Sequence, residues 1–200
     1  MSFRPRLECW FEFASTYSYV GVMRAMNGAT RAAVDLVWKP FLLGPLFRSQ
    51  LGIQDSPFNV NPIRGRYMWR DLQRLCEKYG FPFKRPTVFP RHSVLVSRVA
   101  ILGAEEPWGA DFIQSVFRAN FAEDREISDP SVVAALLDRC GVVPKPVLEK
   151  ARSEEVKAKV SAQTEQAANL GVFGAPNFIA KDELFFGQDR LDDAIAWALR

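Results

Sequence analysis

The chain opens with apolar and polar side chains in strict alternation over residues 7–13, which predicts a β-strand. The apolar positions share one face of this strand: Leu7, Cys9, Phe11 and Phe13. The opposite face carries Glu8, Trp10 and Glu12.

A turn and a helix follow this strand. Ala14-Ser15-Thr16 supplies hydroxyl groups that suit a helix cap, and a helix is predicted over residues 17–26, ending near Asn27-Gly28. A second strand is predicted over residues 33–38 and stops at Lys39-Pro40. This β-α-β order normally gives two parallel strands with a right-handed crossover.

The middle of the chain is predicted to be mostly helical. Residues 43–62 are an exception, because they are rich in Gly, Pro, Asn, Ser and Gln and too long for an ordinary connector; we interpret them as a functional loop. Prolines keep residues 81–91 extended. The predicted helices span residues 64–79, 93–102, 109–121, 130–140 and 153–170.

The pattern changes period again toward the end of the chain. Residues 177–180 and 183–186 are predicted strands joined in a hairpin at Lys181-Asp182, and residues 191–199 are a predicted helix. The order β-α-β, helices, β-β-α is that of an α/β thioredoxin fold with an inserted all-helical domain. The predicted domains are a thioredoxin-like domain of residues 1–44 and 165–200 and an inserted helical domain of residues 45–164.

Composition narrows the functional classes. The net charge of +3 comes from basic residues mixed with acids, so no nucleic-acid surface is indicated. The start of the chain lacks the apolar core of a signal peptide, and no apolar run reaches the roughly 20 residues of a membrane helix. We therefore expect a cytoplasmic protein that does not bind membranes.

The cysteines exclude several kinds of site. Cys9, Cys76 and Cys140 are far apart in the sequence and form no C-x-x-C. This spacing argues against a disulfide framework, a zinc site and a dithiol oxidoreductase. We interpret all three as buried or inert thiols, and we expect no metal.

Ser15 is the first candidate for chemistry. In α/β sheets, ligands bind beyond the carboxyl ends of strands, and a helix N-terminus offers free N–H groups and a positive dipole that suit an anion. A thioredoxin-fold oxidoreductase would carry its reactive cysteine in this turn. A serine there can instead donate a hydrogen bond to a thiolate brought by a ligand. The alternative is that Ser15 only caps the helix.

Two segments late in the chain complete the candidate site. Pro176 is a candidate for a cis peptide at the start of a strand, which would leave the backbone of Ala175 free to pair with an extended peptide. Asp189 can pair with an α-ammonium group, and Arg190 can bind a carboxylate. Those charges match the γ-glutamyl end of glutathione. The alternatives are a trans turn proline and a capped surface turn.

His92 is the lone histidine of the chain. Together with Ser15 and an aspartate it could form a hydrolase triad, but the sequence has no G-x-S-x-G elbow. A structural or surface role for His92 is the alternative.

These segments together resemble the 2-hydroxychromene-2-carboxylate isomerase family, bacterial relatives of the kappa-class glutathione transferases. The similarity covers nearly the whole chain. The matching segments are residues 11–19, 38–44, 64–72, 171–176 and 186–191.

The resemblance implies roles for individual residues and a homodimer. Ser15 would orient and stabilise the thiolate of glutathione, and Ala175, beside Pro176, would supply backbone bonds to its cysteinyl part. The γ-glutamyl end would be held by Gln188, Asp189 and Arg190. The second substrate would be bound by Lys39, Gln54, Asn59, Arg64 and His92.

The resemblance also implies an activity, namely glutathione-dependent cis–trans isomerisation of an aromatic-degradation intermediate by reversible thiolate addition. One alternative is a transferase that conjugates glutathione to an electrophilic substrate. A dithiol oxidoreductase of the same fold would need a cysteine where this chain has Ser15. A binding module without activity is the last alternative.

Overall fold

The computed structural model describes residues 4–200. Its first elements are strand β1 (Arg6–Phe11), helix α1 (Thr16–Ala32) and strand β2 (Asp35–Pro40). The predicted β-α-β order is confirmed. Residues 1–3, part of the predicted domain segment 1–44, lie outside the described residues.

Helix α1 is longer than the sequence predicts, because Gly28 does not end it. A Cβ atom on Gly28 would lie 3.0 Å from Cδ1 of Ile195, so this glycine marks a close approach between two helices. The helix ends at Ala33, which takes the left-handed conformation with φ 54° and donates its N–H to the carbonyl of Thr30.

A run of helices follows β2. The predicted helices over residues 64–79, 93–102 and 109–121 are confirmed to within two residues, as are those beginning near residues 130 and 153. Helix α8 has no predicted counterpart. The elements are α2 (Leu43–Leu51), α3 (Pro57–Val60), α4 (Pro62–Tyr79), α5 (Val94–Gly103), α6 (Gly109–Phe121), α7 (Pro130–Arg139), α8 (Pro144–Ala151) and α9 (Glu154–Asn169).

The prediction that residues 43–62 are irregular is wrong, because α2 and α3 lie within them. Gly52 ends α2 in the left-handed region with φ 68°. Ser56 caps α3 by accepting a hydrogen bond from the N–H of Phe58 at 3.3 Å, and Pro57 begins that helix. The glycine and prolines of this stretch therefore start and stop short helices, which is their usual place at helix ends.

The end of the chain follows the prediction closely. Strands β3 (Asn177–Ala180) and β4 (Glu183–Phe186) form a hairpin, and helix α10 (Leu191–Ala198) follows a short 3₁₀ turn at Gln188–Arg190. Lys181 and Asp182 both have positive φ, 48° and 65°. A two-residue turn with both φ positive matches the right-handed twist of the strands it joins.

The four strands form one mixed sheet in the order β2-β1-β3-β4. β1 is parallel to β2 and antiparallel to β3, and β4 is antiparallel to β3. This sheet with its covering helices is the predicted α/β thioredoxin fold. The proposed division into domains at residues 44 and 165 stays a prediction.

Strand β1 is buried along one face, at Leu7, Cys9 and Phe11, and on the other face at Trp10. Cys9 packs in a core with residues of α1, α6 and α10, whereas Trp10 packs in a second core with Phe41, Leu46 and Ala167. Cys9 and Trp10 are each fully buried. The alternation in the sequence thus separates two cores.

The cysteines lie in these cores. Cys9 and Cys76 are buried, Cys140 is half-buried, and all three are free thiols. Burial raises the pKa of the thiols of Cys9 and Cys76, which favours their protonated form. No helix among residues 4–200 combines the length and the apolar character needed to cross a membrane.

Candidate active site

Ser15 occupies the N-cap of α1, at the end of the turn that follows β1. Its backbone is extended, with φ −78° and ψ 121°, and its Oγ accepts a hydrogen bond from the N–H of Ser18 at 3.2 Å. The predicted capping role is therefore confirmed. The same hydroxyl donates its proton to the carbonyl oxygen of Ala175 at 3.0 Å, so Ser15 joins two segments that are 160 residues apart.

Ala175 and Pro176 are joined by a cis peptide bond. Pro176 packs directly on α1, because a Cβ atom on Gly21 would lie 2.7 Å from its Cγ. The carbonyl of Pro176 accepts a hydrogen bond from the N–H of Gly187 at 3.0 Å. These contacts hold the Ala175–Pro176 turn against the start of α1 and tie it to the turn after β4.

A cavity of about 740 Å³ opens beside Ser15. Its volume is in the range typical of small-molecule sites. Its walls come from the start of α1, from α2 and α3, from residues 89–94 and from the turn before β3. The aromatic rings that line it are those of Tyr17, Phe47, Phe58, Phe89, Phe173 and Phe186.

The structure brings five of the predicted site residues to this cavity. Ser15 and Ala175 line it beside the start of α1, whereas Gln54 comes from the loop after α2, Arg64 from α4 and His92 from the loop before α5. The last three are exposed to solvent at the cavity mouth. Residues predicted for glutathione and for the second substrate thus share one space.

Two residues predicted for the second substrate lie outside the lining. The ammonium group of Lys39 lies 5.6 Å from the centre of the Trp10 ring. The amide of Asn59 donates to the carboxylate of Asp55 and to the carbonyl of Phe89, each at 3.1 Å. Asn59 therefore ties α3 to the far wall of the cavity, where Phe89 is located.

The residues predicted to hold the γ-glutamyl end follow β4 and also lie outside the cavity lining. The side-chain oxygen of Gln188 accepts a hydrogen bond from Arg24 at 2.9 Å. Arg190 forms an ion pair with Asp193 at 3.0 Å. The carboxylate of Asp189 is exposed.

Sequence reasoning missed Glu12 as a site residue. Glu12 lines the cavity although it is only 5% exposed. Its carboxylate accepts a hydrogen bond from the N–H of Ala14 at 2.9 Å and another from the hydroxyl of Ser93. Burial raises the pKa of Glu12 to about 7, although both hydrogen bonds act to lower it. The signal in the sequence was an acid three residues before Ser15.

Arg91, which lines the cavity, forms a buried ion pair. The Arg91 side chain is 3% exposed and bonds the Asp124 carboxylate, whose side chain is 8% exposed. Hydrogen bonds from the N–H of Thr87 and from Arg91 hold the pKa of Asp124 well below its usual range. Arg91 also donates to the side-chain oxygen of Asn120 at 3.0 Å. This network fixes residues 87–93, the segment that carries Ser93 to Glu12.

The cavity can receive an anion beside Ser15 and can hold an aromatic group between its rings. Arg48, Arg64 and His92 can supply positive charge or donor groups at its mouth. Within residues 4–200, no group of three or more side chains is placed to hold a metal ion. The arrangement therefore suits chemistry on an anionic, polarisable group at the head of α1.

The chain is similar to several known proteins over most of its length. The chain is 23% identical to a 2-hydroxychromene-2-carboxylate isomerase from Sphingobium xenophagum, over 93% of this chain and 94% of that protein. It is also 23% identical to glutathione S-transferase kappa 1 from Rattus norvegicus, over 94% of this chain and 88% of that protein. Among solved structures, a 2-hydroxychromene-2-carboxylate isomerase superposes with a TM-score of 0.86 at 22% identity, covering 96% of this chain and 93% of the other.

The family match spans almost the whole chain. Residues 6–196 match the family described as DSBA-like thioredoxin domain. This range includes the strand before Ser15, the helices that form the cavity and the turn at Ala175. The chain therefore belongs to the DSBA-like thioredoxin domain family.

Proposed function

We propose that this protein is a glutathione-dependent isomerase similar to 2-hydroxychromene-2-carboxylate isomerase. The observation that carries the proposal is the Ser15 hydroxyl, which lies in the cavity at the N-terminus of α1 and bonds the Ala175 carbonyl. The substrate would be an intermediate of aromatic degradation with a conjugated double bond. When bound, glutathione would supply a thiolate that adds to this double bond and leaves again after rotation.

The residues around Ser15 fit a cysteinyl peptide. Among residues 4–200, the carbonyl of Ala175 accepts a hydrogen bond from the Ser15 hydroxyl alone, at 3.0 Å. A peptide N–H entering the cavity can take that place, which frees the Ser15 proton to turn toward sulfur. Ser15 would then stabilise a thiolate together with the free N–H groups at the start of α1.

The segment after β4 supports a place for the γ-glutamyl end. The hydrogen bond between Gly187 and Pro176 keeps this segment beside the Ala175 turn. The exposed carboxylate of Asp189 can pair with an α-ammonium group. Gln188 and Arg190 hold their own partners, so we propose that they shape the segment around Asp189.

The aromatic lining of the cavity supports an aromatic acid as the second substrate. Tyr17 and Phe58 meet at 6.2 Å between ring centres, and Phe173 and Phe186 at 4.5 Å, so flat apolar surfaces border the space beyond Ser15. Arg48, which sequence reasoning did not single out, joins the predicted Arg64 at the cavity mouth. Either guanidinium can bind a carboxylate. Lys39 stays a prediction for the same role.

The test compares two serines that cap helices. Ser15→Ala should lower turnover of 2-hydroxychromene-2-carboxylate roughly ten- to a thousandfold, the range for losing an oriented donor. Ser153 caps α9 in the same way, by accepting from the N–H of Val156 at 3.3 Å, but it does not line the cavity. Ser153→Ala should therefore leave turnover unchanged. Equal turnover in the wild type and in Ser15→Ala would refute the proposed role.

A glutathione transferase is the second candidate function, because kappa-class transferases match this chain at the same level of identity as the isomerases. The same Ser15 site would serve both reactions. A transferase consumes one glutathione per product, whereas an isomerase returns it. Free thiol measured before and after turnover decides between them.

Two further expectations stay predictions, namely a cytoplasmic location and a homodimer. Light scattering of the purified protein measures the second. A mass of about 22.6 kDa would correspond to the single chain and would exclude the homodimer.

A further inference from the structure

We propose that Glu12 accepts the proton of the bound thiol, so that a thiolate forms in the cavity without releasing a proton to solvent. The inference rests on the proposed use of glutathione. Glu12 was not identified as a site residue from the sequence. Its proposed role follows from the contacts that hold its carboxyl.

Glu12 and Ser15 belong to one turn and face one cavity. The backbone N–H of Ser15 donates to the carbonyl of Glu12 at 3.0 Å, which closes the turn between them. The Glu12 carboxyl is fixed from two sides, by the N–H of Ala14 and by the hydroxyl of Ser93. A thiol that reaches Ser15 therefore enters the cavity that Glu12 lines.

The proton affinity of Glu12 suits the transfer. Burial raises its pKa to about 7, so the carboxyl exchanges its proton near neutral pH. A free thiol has a pKa of roughly 8.5. Proton transfer is most effective between groups of similar pKa at the working pH, and an ordinary exposed glutamate, near 4.3, would be a much weaker acceptor.

The other titratable and charged groups of the cavity are less suited to accept this proton. They are Tyr17, Arg48, Asp55, Arg64, Arg91 and His92.

Each of these groups either is bonded to another side chain or is exposed at the mouth of the cavity. Burial and the neighbouring Asp71 raise the pKa of Tyr17, which donates its own proton to Asp71. Arg91 is paired with Asp124. The remaining four are exposed. Glu12 is therefore the buried acceptor among the described residues that line this cavity.

The transfer conserves charge. The S–H bond breaks and its electron pair stays on sulfur, while an O–H bond forms on Glu12. Before the step the negative charge is on the carboxylate, and after it the charge is on the thiolate. The cavity holds one negative charge in both states, which avoids the free-energy cost of burying two like charges together. Glu12 returns the proton when the thiol is restored.

The experiment counts protons. Calorimetry of glutathione binding, about one pH unit above the pKa of Glu12, is run in buffers of different ionisation enthalpy, and S-methylglutathione is titrated in parallel. The difference between the two ligands in the number of protons released gives the contribution of the thiol. Ultraviolet absorbance of the bound thiolate is measured at the same pH. The expected wild-type result is a thiolate with almost no proton released to the buffer.

Two variants extend the test, one read by the number of protons released and the other by the pH dependence of turnover. Glu12→Gln keeps the shape of the side chain but cannot accept the proton, so each bound thiolate should release close to one proton. Ser93→Ala keeps the carboxyl and removes a hydrogen bond that lowers its pKa, so the acid limb of the turnover–pH profile should move to higher pH.

The outcomes separate the two proposals. A wild-type thiolate accompanied by a full released proton would overturn the role of Glu12, and so would a bound thiol that stays protonated. Both results would leave the glutathione site standing. If wild-type protein does not bind glutathione at all, the proposed function itself fails.

Discussion

Glu12 and Asp124 are two carboxylates with little exposure, and residues 87–93 contact both of them, yet their pKa values move in opposite directions. Asp124 receives the guanidinium of Arg91 and the N–H of Thr87, so its charged form is stabilised. Glu12 receives an N–H and a hydroxyl but no hydrogen bond from a cation among residues 4–200, so burial dominates its pKa.

The difference shows how one segment can serve both stability and chemistry. A buried acid with a cation keeps its charge and holds the fold together. A buried acid with neutral donors exchanges its proton near neutral pH, which is useful in an active site and unfavourable for folding. The partner, more than the degree of burial, decides which of the two a carboxylate becomes.

The largest expected effect comes from breaking the ion pair. Arg91→Ala leaves the Asp124 charge without its buried cation, which should lower the free energy of unfolding by about 3 kcal/mol. Denaturant unfolding at neutral pH measures the loss. Asp124 stabilises the fold above its ordinary pKa, so the effect should shrink as acid protonates it. A loss as large in strong acid as at neutral pH would contradict the pairing argument.

Replacing Glu12 is expected to change the free energy of unfolding by a smaller amount and in the opposite direction. Its folded pKa is above its unfolded value, so its contribution to stability is complete below about pH 4.5 and declines as the pH rises to about 7. Glu12→Gln removes this titration and should raise the free energy of unfolding by about 2 kcal/mol at pH 8, with little change at pH 4. Denaturant unfolding at both pH values measures it. Destabilisation at pH 8 would show that Glu12 mainly supports the structure.

The smallest effect is expected from an exposed cation on the same Asp124. The ammonium of Lys84 lies 3.6 Å from the Asp124 carboxylate and its side chain is 61% exposed. Lys84→Ala should therefore cost less than about 1 kcal/mol, measured in the same unfolding assay. It is the matched control for Arg91→Ala, since both variants remove a cation from one acid. Equal losses of unfolding free energy in Lys84→Ala and Arg91→Ala would show that the burial of Arg91 does not strengthen its ion pair.

The sequence predicted the elements that depend on local patterns. The bounds of β3 and β4 follow from alternation and from a two-residue turn, and the start of α7 follows from Asp129 and Pro130. The glycines that seem to mark helix ends were harder to interpret. Gly28 looks like a helix end in the sequence, but its role is to admit Ile195, and only the fold brings these two residues together.

The candidate site was predictable where one segment carries a family pattern. The turn containing Ser15 and the turn containing Ala175 were found in this way, and the structure joins them by a hydrogen bond. Glu12 lies in the same matching segment as Ser15, but its role was missed because its partner Ser93 is 81 residues away. Alternation assigns a residue to a face and says nothing of what covers that face.

The contact between Gly21 and Pro176 limits how this sequence can diverge. Any side chain at position 21 would meet the ring of Pro176 at about 2.7 Å and would push the Ala175 carbonyl away from Ser15. A glycine inside a helix costs about 0.5–1 kcal/mol relative to alanine. Substitution of Gly21 by a better helix former is therefore not tolerated. A scan of all substitutions in this protein should show that position 21 accepts glycine alone.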